Sequence, residues 1–378
     1  MKYKILSNKW RPQDFNHIIG HKYVIRIIKN SLDLNRIHQS WLFSGIHGTG
    51  KTTIARILAK SLNCKIGITS QPCRKCSHCL SIEKGKFLDF IELDAASKTK
   101  VEDIKSVLDT TKYPPIEGRF KIYLIDEIQM LSKHSFNALL KILEEPPKYI
   151  KFILATTHLN KIPETIISRC LHIHLPYITS KNIFNYLKKK LKKENININK
   201  ETLSIISNSA RGSIRNALNT LELAICSTAD KMINTKNINK LLGIFNKKKI
   251  FILAENIINN NINNILNILD DAEIIGISYN NIISSLINFF HNLSIIKITI
   301  SEKNYIIHKL SKYDKNTYIL SKKISFKDIQ IYCKILLQGE KYIKYAPNPR
   351  IGVEIILFQI YQYITEKKIS NNHLLIHK

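Results

Sequence analysis

Trp41-Leu42-Phe43-Ser44-Gly45-Ile46-His47-Gly48-Thr49-Gly50-Lys51-Thr52 decides the fold. An apolar run leads into G-x-x-x-x-G-K-T, and Thr53-Ile54-Ala55-Arg56-Ile57-Leu58-Ala59 follows with helical character. Strand, glycine-rich loop and helix in that order are the context a phosphate-binding loop (Walker A) requires. Gly45, Gly48 and Gly50 permit backbone conformations and close approach that a side chain would block. Successive N–H groups at the helix start, through Thr49 and Thr53, would then wrap an anion. Lys51 would reach the β- and γ-phosphates of ATP, and the Thr52 hydroxyl would ligate Mg²⁺. A chance glycine-rich turn is the competing reading, and the flanking strand and helix argue against it.

Lys121-Ile122-Tyr123-Leu124-Ile125-Asp126-Glu127 reads as a buried parallel strand ending in two acids. The C-terminal edge of an open α/β sheet is where ligands bind. Asp126 would hold Mg²⁺, and Glu127 would orient and polarise the attacking water, because phosphoryl transfer depends on positioning and charge compensation. Adjacent acids alone would be ordinary strand-end solvation; downstream of a phosphate loop they point to hydrolysis.

Cys73-Arg74-Lys75-Cys76-Ser77-His78-Cys79 gives C-x2-C-x2-C, with Cys64 upstream. Four thiolates in a short polar excursion suit tetrahedral Zn²⁺ with no open coordination position, hence a structural metal. An iron–sulfur run would need a fourth cysteine three residues on, followed by proline; Leu80-Ser81-Ile82-Glu83 stands there instead. Reduced surface thiols are the bland alternative. His78 is a possible substitute ligand, though four sulfurs are preferred. Cys170, Cys226 and Cys333 stand apart.

The 378 residues suffice for two or three domains. Net charge is +29, from 58 Lys+Arg against 29 Asp+Glu, which suggests a polyanionic partner. A skew toward Ile, Asn and Lys, as in Asn256-Ile257-Ile258-Asn259-Asn260-Asn261, discounts that inference, because A/T-rich codons alone would produce it. The first ten residues lack an apolar core, so no signal peptide is expected. No stretch approaches a membrane span. Seven cysteines without an export signal argue against a disulfide scaffold and fit the cytoplasm.

Apolar runs at 41–44, 90–93, 122–125, 152–155 and 171–175 alternate with helical stretches, which predicts a parallel, doubly wound sheet over about 1–178. Residues 179–242 read as a small helical domain, with helices at 180–193, 200–209 and 213–224. Residues 243–378 read as all-helical, for instance at 282–293 and 352–363.

These segments together resemble the γ/τ ATPase subunits of bacterial DNA polymerase III clamp loaders, which are AAA+ proteins. The resemblance covers about residues 8–225. It rests on Lys9-Trp10-Arg11-Pro12 with Gly20-His21, Arg36-Ile37-His38, the phosphate loop, the four-cysteine insertion, and Asp94-Ala95-Ala96-Ser97 through Asp103. It continues through Tyr123–Glu127, His134–Lys141, Leu143-Glu144-Glu145-Pro146-Pro147, Ala155-Thr156-Thr157, Ser168-Arg169-Cys170 and Gly212-Ser213-Ile214-Arg215. Beyond 243 only Asn348-Pro349-Arg350 and Glu354 match.

The resemblance implies an α/β AAA+ P-loop ATPase, its parallel sheet sandwiched by helices, with a small helical lid and an all-α C-terminal collar. It implies that Trp10, Arg11 and Pro12 hold the adenine end of ATP, that Thr157 is the sensor hydroxyl, and that Arg215 reports ATP to the lid. Arg169 would be the arginine finger acting in trans on the neighbouring subunit's ATP, a task suited to a planar, permanently charged guanidinium. The implied partners are companion subunits in a hetero-oligomer, a pentamer in this family, together with the sliding clamp and primer–template DNA held through phosphates. Lys98, Lys100, Lys105, Lys141 and Lys161 are candidate DNA contacts. Two positions depart from the family pattern: Asn216 where Asp is usual and Gln129 where His is common. The length matches γ, so coupling to helicase or polymerase is in doubt. Three alternatives remain: a non-hydrolysing scaffold subunit, another AAA+ DNA-remodelling ATPase such as a Holliday-junction motor, and a zinc-dependent DNA reader.

Overall fold

The five apolar runs form one parallel sheet: β1 (Ser40–Ser44), β2 (Phe90–Asp94), β3 (Lys121–Asp126), β4 (Ile150–Thr156) and β5 (Leu171–His174). Their order is β2-β3-β4-β1-β5. A computed structural model describes residues 5–97, 106–227, 247–301 and 315–376, with isolated positions between 228 and 246. The chain divides into two compact units, Met1–Asn234 and Thr235–Lys378.

Successive side chains along a strand point to opposite faces, and both faces of this sheet are apolar. Trp41, Phe43, Ile122, Leu124 and Ile153 belong to one buried cluster. Leu42, Tyr123, Ile125, Phe152 and Leu154 belong to the other. This is why the strands read as unbroken apolar runs rather than as alternating ones.

The strand order sets the site. β4 lies between β1 and β3, with Ser44 opposite Thr156 and Ile125 opposite Leu154. The residues that follow β4 therefore lie between the glycine loop after β1 and the acids that end β3. Helices that accompany the sheet among the described residues include α1 (Leu6–Lys9), α2 (Lys22–Asp33), α3 (Lys51–Asn63), α4 (Ser77–Glu83), α5 (Lys133–Glu144) and α6 (Glu164–Ile167). α3 starts directly from Gly50, and α5 is capped by the Ser132 hydroxyl, which accepts from the Ser135 amide. Pro146 and Pro147 follow the end of α5, as helix termination requires.

Among the described residues, the first unit continues with α7 (Ser180–Lys193), α8 (Lys200–Ser209) and α9 (Ile214–Cys226). Thr179, Asn199 and Ser213 cap their N-termini through side-chain oxygens. A two-residue parallel ladder, β6 (Asn197–Ile198) with β7 (Met232–Ile233), was not expected from the sequence.

The second unit is helical: α10 (Lys247–Asn259), α11 (Ile262–Ile274), α12 (Tyr279–Ser301), α13 (Lys315–Lys323), α14 (Phe326–Tyr342) and α15 (Pro349–Ile376). Its core is rich in isoleucine, including Ile282, Ile283, Ile329, Ile356 and Ile360. Arg350 pairs with Glu354, Glu273 and Asp270, joining the start of α15 to α11. No helix among the described residues is long and apolar enough to cross a membrane.

Candidate functional site

The glycine loop is held from several sides. Gly45 has φ of 148°, and a Cβ there would lie 2.5 Å from the Leu175 carbonyl oxygen. Gly48 has φ of 75°, and a Cβ there would lie 2.2 Å from Ser213 Oγ and 2.8 Å from Arg215 Cβ. Both positions thus need glycine for conformation and for space. The Ile214 amide at the start of α9 donates to the Gly48 carbonyl at 3.0 Å. Thr49 Oγ1 donates to the Ile46 carbonyl at 3.0 Å. His21 Nε2 donates to the Thr49 carbonyl at 3.0 Å. Burial holds His21 below its ordinary pKa, which favours the neutral ring this bond uses.

Lys51 is buried, and its Nζ donates to the Gly45 and Ile46 carbonyls at 2.8 and 3.1 Å. Burial lowers its pKa, while Glu127 and Asp126 oppose that shift. Thr52 Oγ1 donates to Asp126 Oδ2 at 2.6 Å, joining the loop to the end of β3.

Glu127 stands just beyond β3 in the left-handed region, with φ of 51°. This turns its carboxylate back over the cleft. Thr157 Oγ1 donates to Glu127 Oε2 at 2.8 Å, and Gln129 Nε2 donates to the same oxygen at 2.5 Å. His47 Nδ1 lies 3.4 Å from the other carboxylate oxygen. Burial pushes the Glu127 carboxyl up. The hydrogen bonds from Gln129 and Thr157, with Lys51 and His47, outweigh it and hold the group below its ordinary value.

His47, Lys51, Thr52, Asp126 and Glu127 line a cleft of 360 Å³, while Thr157 and Gln129 are not among its lining residues. Gly48, Thr49, Gly50, Lys51, Thr52 and Thr53 form its floor, with Asp126 and Glu127 on one side and Arg215 on another. Trp10, Arg11 and Pro12 line the same cleft with Ile18, Ile178 and Tyr186. Their position is fixed from α7: Tyr186 OH donates to the Trp10 carbonyl at 2.9 Å, and Trp10 Nε1 donates to Glu194 Oε1 at 3.2 Å. Burial pulls the Arg11 pKa down, and Arg56 and Arg215 add to the effect while Glu92 opposes it.

Arg169 does not line this cleft. Its Nη1 donates to the Thr165 carbonyl and its Nη2 pairs with Glu144 Oε1, both at 2.7 Å. Lys141, on α5, and Lys161, in the turn after β4, are exposed. Lys98, Lys100 and Lys105 lie outside the described residues.

The Sγ atoms of Cys64, Cys73, Cys76 and Cys79 all lie within 4.8 Å of one another. Cys73 and Cys79 are 4.0 Å apart, close to the ~3.8 Å that four sulfurs ~2.3 Å from one tetrahedral zinc would show. The Cys76 and Cys79 amides donate to Cys73 Sγ and Cys76 Sγ at 3.4 Å, and backbone hydrogen bonds lower the Cys73 thiol to about 6. The donor set fits zinc. His78 points elsewhere: its Nδ1 meets the Asn63 carbonyl at 2.9 Å, and its ring packs on Phe87.

Sequence reasoning gave no role to Gln129, Glu194 or Tyr186. Gln129 was legible only as a departure from the family pattern, two positions past Glu127. Nothing in the sequence signalled the other two.

Three family models match the chain. The model for the DNA polymerase III delta subunit matches residues 20–179, that for the DNA polymerase III clamp loader subunit ATPase lid domain 182–230, and that for domain III of DNA polymerase III subunits gamma and tau 233–370. The DNA polymerase III subunit gamma of Buchnera aphidicola subsp. Schizaphis graminum is 50% identical over 368 residues, covering 97% of this chain and 100% of that protein. The Escherichia coli K12 DNA polymerase III subunit tau is 41% identical over 359 residues, and this chain spans 55% of its length. A solved structure of the Thermotoga maritima Holliday junction branch migration motor is 20% identical, with TM-score 0.46, over 66% of this chain and 79% of its own. On the breadth of the first two likenesses, the chain belongs to the gamma/tau subunit family of the DNA polymerase III clamp loader.

Proposed function

We propose that this chain is the ATP-hydrolysing motor subunit of a replicative clamp loader, which loads the sliding clamp onto primed DNA as part of the DNA polymerase III holoenzyme. The observation that carries the reading is the single cleft in which Lys51, Thr52, Asp126, Glu127 and Arg215 converge. Lys51 exchanges its carbonyl partners for phosphate oxygens of ATP, and the loop amides bind the remaining phosphate charge. Thr52 and Asp126, already 2.6 Å apart, would hold Mg²⁺, whose chemistry is to neutralise charge on the transferring phosphoryl group. Glu127, kept ionised, orients the attacking water and accepts its hydrogen bond. Thr157, hydrogen-bonded to Glu127, meets the terminal phosphate, and Arg215 couples that phosphate to α9. Trp10, Arg11 and Pro12 hold the adenine end. Cys64, Cys73, Cys76 and Cys79 would bind a structural Zn²⁺.

Arg169 lies outside its own chain's cleft and is partly exposed. It serves the ATP of a neighbour in a hetero-oligomer, a pentamer with companion subunits. ATP binding organises that assembly to open the clamp and grip primer–template DNA; hydrolysis releases both. DNA contact is through phosphates, with Lys141 and Lys161 among the candidates, and is therefore sequence-independent and salt-sensitive. A non-hydrolysing scaffold subunit would not need Glu127 held ionised over the cleft.

The test is ATPase rate with companion subunits, clamp and primed DNA, beside Arg169→Ala. Stimulated turnover that falls about a thousandfold in the variant, with ATP still bound, is the expected result. ATP binding without stimulated turnover in the complete mixture would overturn the motor reading.

A further inference from the structure

We propose that Gln129 is a positioning residue for ATP hydrolysis, tying the Glu127 carboxylate to the Thr157 hydroxyl so that Glu127 keeps its place when Thr157 turns to phosphate. The inference rests on the ATPase reading above. Gln129 sits in the short helical turn Ile128–Met130 that follows β3. Its amide nitrogen donates to Glu127 Oε2 at 2.5 Å and to Thr157 Oγ1 at 3.0 Å. Its amide oxygen accepts from Thr156 Oγ1 at 2.6 Å.

The hydrogen-bond inventory fixes this orientation. An ionised carboxylate only accepts, so nitrogen must face Glu127. Thr156 Oγ1 accepts from the His158 amide at 3.1 Å, leaving its own proton for the Gln129 oxygen. Glu127 Oε2 only accepts, so the single proton of Thr157 goes to it, and Thr157 Oγ1 in turn accepts from Gln129 Nε2 and from His158 Nδ1 at 2.9 Å.

That single proton has a consequence. Thr157 can donate to Glu127 or to a phosphate oxygen, but not to both. When it donates to phosphate, Glu127 Oε2 loses one of its two neutral donors. Gln129 then remains as the neutral donor on that oxygen, and it still grips Thr157 through the second amide hydrogen. The amide oxygen, anchored on β4 through Thr156, prevents the side chain from following Thr157. One amide thus registers the sensor against the base while the sensor changes partner. The other groups facing Glu127 are charged or titratable. Lys51 and His47 come from the glycine loop; His158, from beyond β4, meets Thr157, and Asp126 and Arg215 line the same cleft. None of them bridges both residues.

The experiment uses the full chain assembled with companion subunits, clamp and primed DNA. Wild type, Gln129→Ala and the near-isosteric Gln129→Glu are compared for kcat, ATP affinity and thermal midpoint. The expected kcat loss is about tenfold to a hundredfold in both variants, the scale of a misplaced reacting group. ATP affinity should stay within about twofold, because the side chain of Gln129 bonds to Glu127, Thr156 and Thr157 and to no residue of the glycine loop. Gln129→Glu should lose the more kcat, since a second carboxylate cannot donate to Glu127 Oε2 and repels it. Unchanged kcat in Gln129→Glu would overturn the inference. So would a kcat loss accompanied by a parallel loss of ATP affinity and thermal midpoint, which is the signature of a structural role. Absence of turnover in the wild-type assembly would instead overturn the ATPase reading, and this inference with it.

Discussion

Glu194 offers a direct test of how the N-terminal segment is held at the cleft. It accepts from Trp10 Nε1 at 3.2 Å and from Lys9 Nζ at 2.6 Å. The shorter contact is the weaker one energetically. Lys9 is 46% exposed and Glu194 30% exposed on their side chains, and ion pairs at such sites contribute about 0–1 kcal/mol. Trp10 is only 4% exposed. Removing its acceptor leaves a buried indole N–H unpaired, at a cost of about 1–3 kcal/mol. With Glu194 partly solvated, about 1–2 kcal/mol is the reasonable range, or roughly fivefold to thirtyfold in an equilibrium constant. Trp10, Arg11 and Pro12 line the cleft, so Glu194→Ala should weaken ATP by that factor. Lys9→Ala should weaken it by less than about fivefold. Titration of both variants with a fluorescent ATP analogue reads the difference. Lys9 and Trp10 hydrogen bonds hold the Glu194 carboxyl below its ordinary pKa. The stabilisation is therefore present above the unfolded carboxylate pKa and lost as pH falls through the lower folded value. A Lys9→Ala effect equal to or larger than that of Glu194→Ala would refute the argument that the indole N–H, and not the ion pair, fastens this segment.

Two further outcomes concern the scaffold around the cleft. Purified protein should carry one zinc per chain, lost in Cys73→Ser; at a hundredfold excess of zinc over its dissociation constant the folded form should gain about 2.7 kcal/mol, read as a fall in thermal midpoint on chelation. Metal analysis finding no zinc, or iron in its place, would refute the assignment. Asp89 is fully buried and accepts from the Ile116, Glu117 and Gly118 amides at 2.8, 2.7 and 2.7 Å, fixing the approach to β3. Asp89→Ala should cost about 3 kcal/mol in urea unfolding, allowing for water at this part-exposed turn, and a loss below about 1 kcal/mol would show that the loop re-forms without it.

The sheet was legible because parallel strands covered on both faces must be apolar throughout, and each of the five runs ends in turn chemistry. The lid helices were legible as helical stretches at 180–193, 200–209 and 213–224, and the structure shows Thr179, Asn199 and Ser213 capping their starts. The glycine loop and the acids after β3 were legible because their spacing is chemical: phosphate and Mg²⁺ demand those groups in that order. The contacts that fasten the site were not. Trp10 and Glu194 are 184 residues apart, and no local pattern pairs them. Gln129 read as a departure because its meaning depends on β4 lying beside β3, which only the folded sheet provides. The β6–β7 ladder of two residues is too short to leave a periodic signal. Lys98, Lys100 and Lys105 lie outside the described residues, so their proposed DNA role stands on the sequence alone.

The charge of this chain argues for function only where the fold concentrates it. A net +29 invites a polyanion, yet several lysines are buried for structural reasons. Lys60 is buried on Glu83 and Gln13. Lys121 donates to the Thr110 carbonyl, and Lys151 sits 5.1 Å over the Phe120 ring. These charges are partnered inside the molecule and contribute little to an outside ligand. Lys51, Arg11 and Arg215 differ, because all three converge on one cleft with only Asp126 and Glu127 as acidic wall residues. Asp126 already faces Thr52 as a metal ligand pair would, and Glu127 is held by Gln129 and Thr157 away from a simple ion pair with Lys51. The cations are thus left to a polyanion such as a nucleoside triphosphate. Burial, which lowers the pKa of Lys51 and Arg11, makes that exchange stronger, since charges in a low-dielectric cleft attract a phosphate more than solvated surface lysines do.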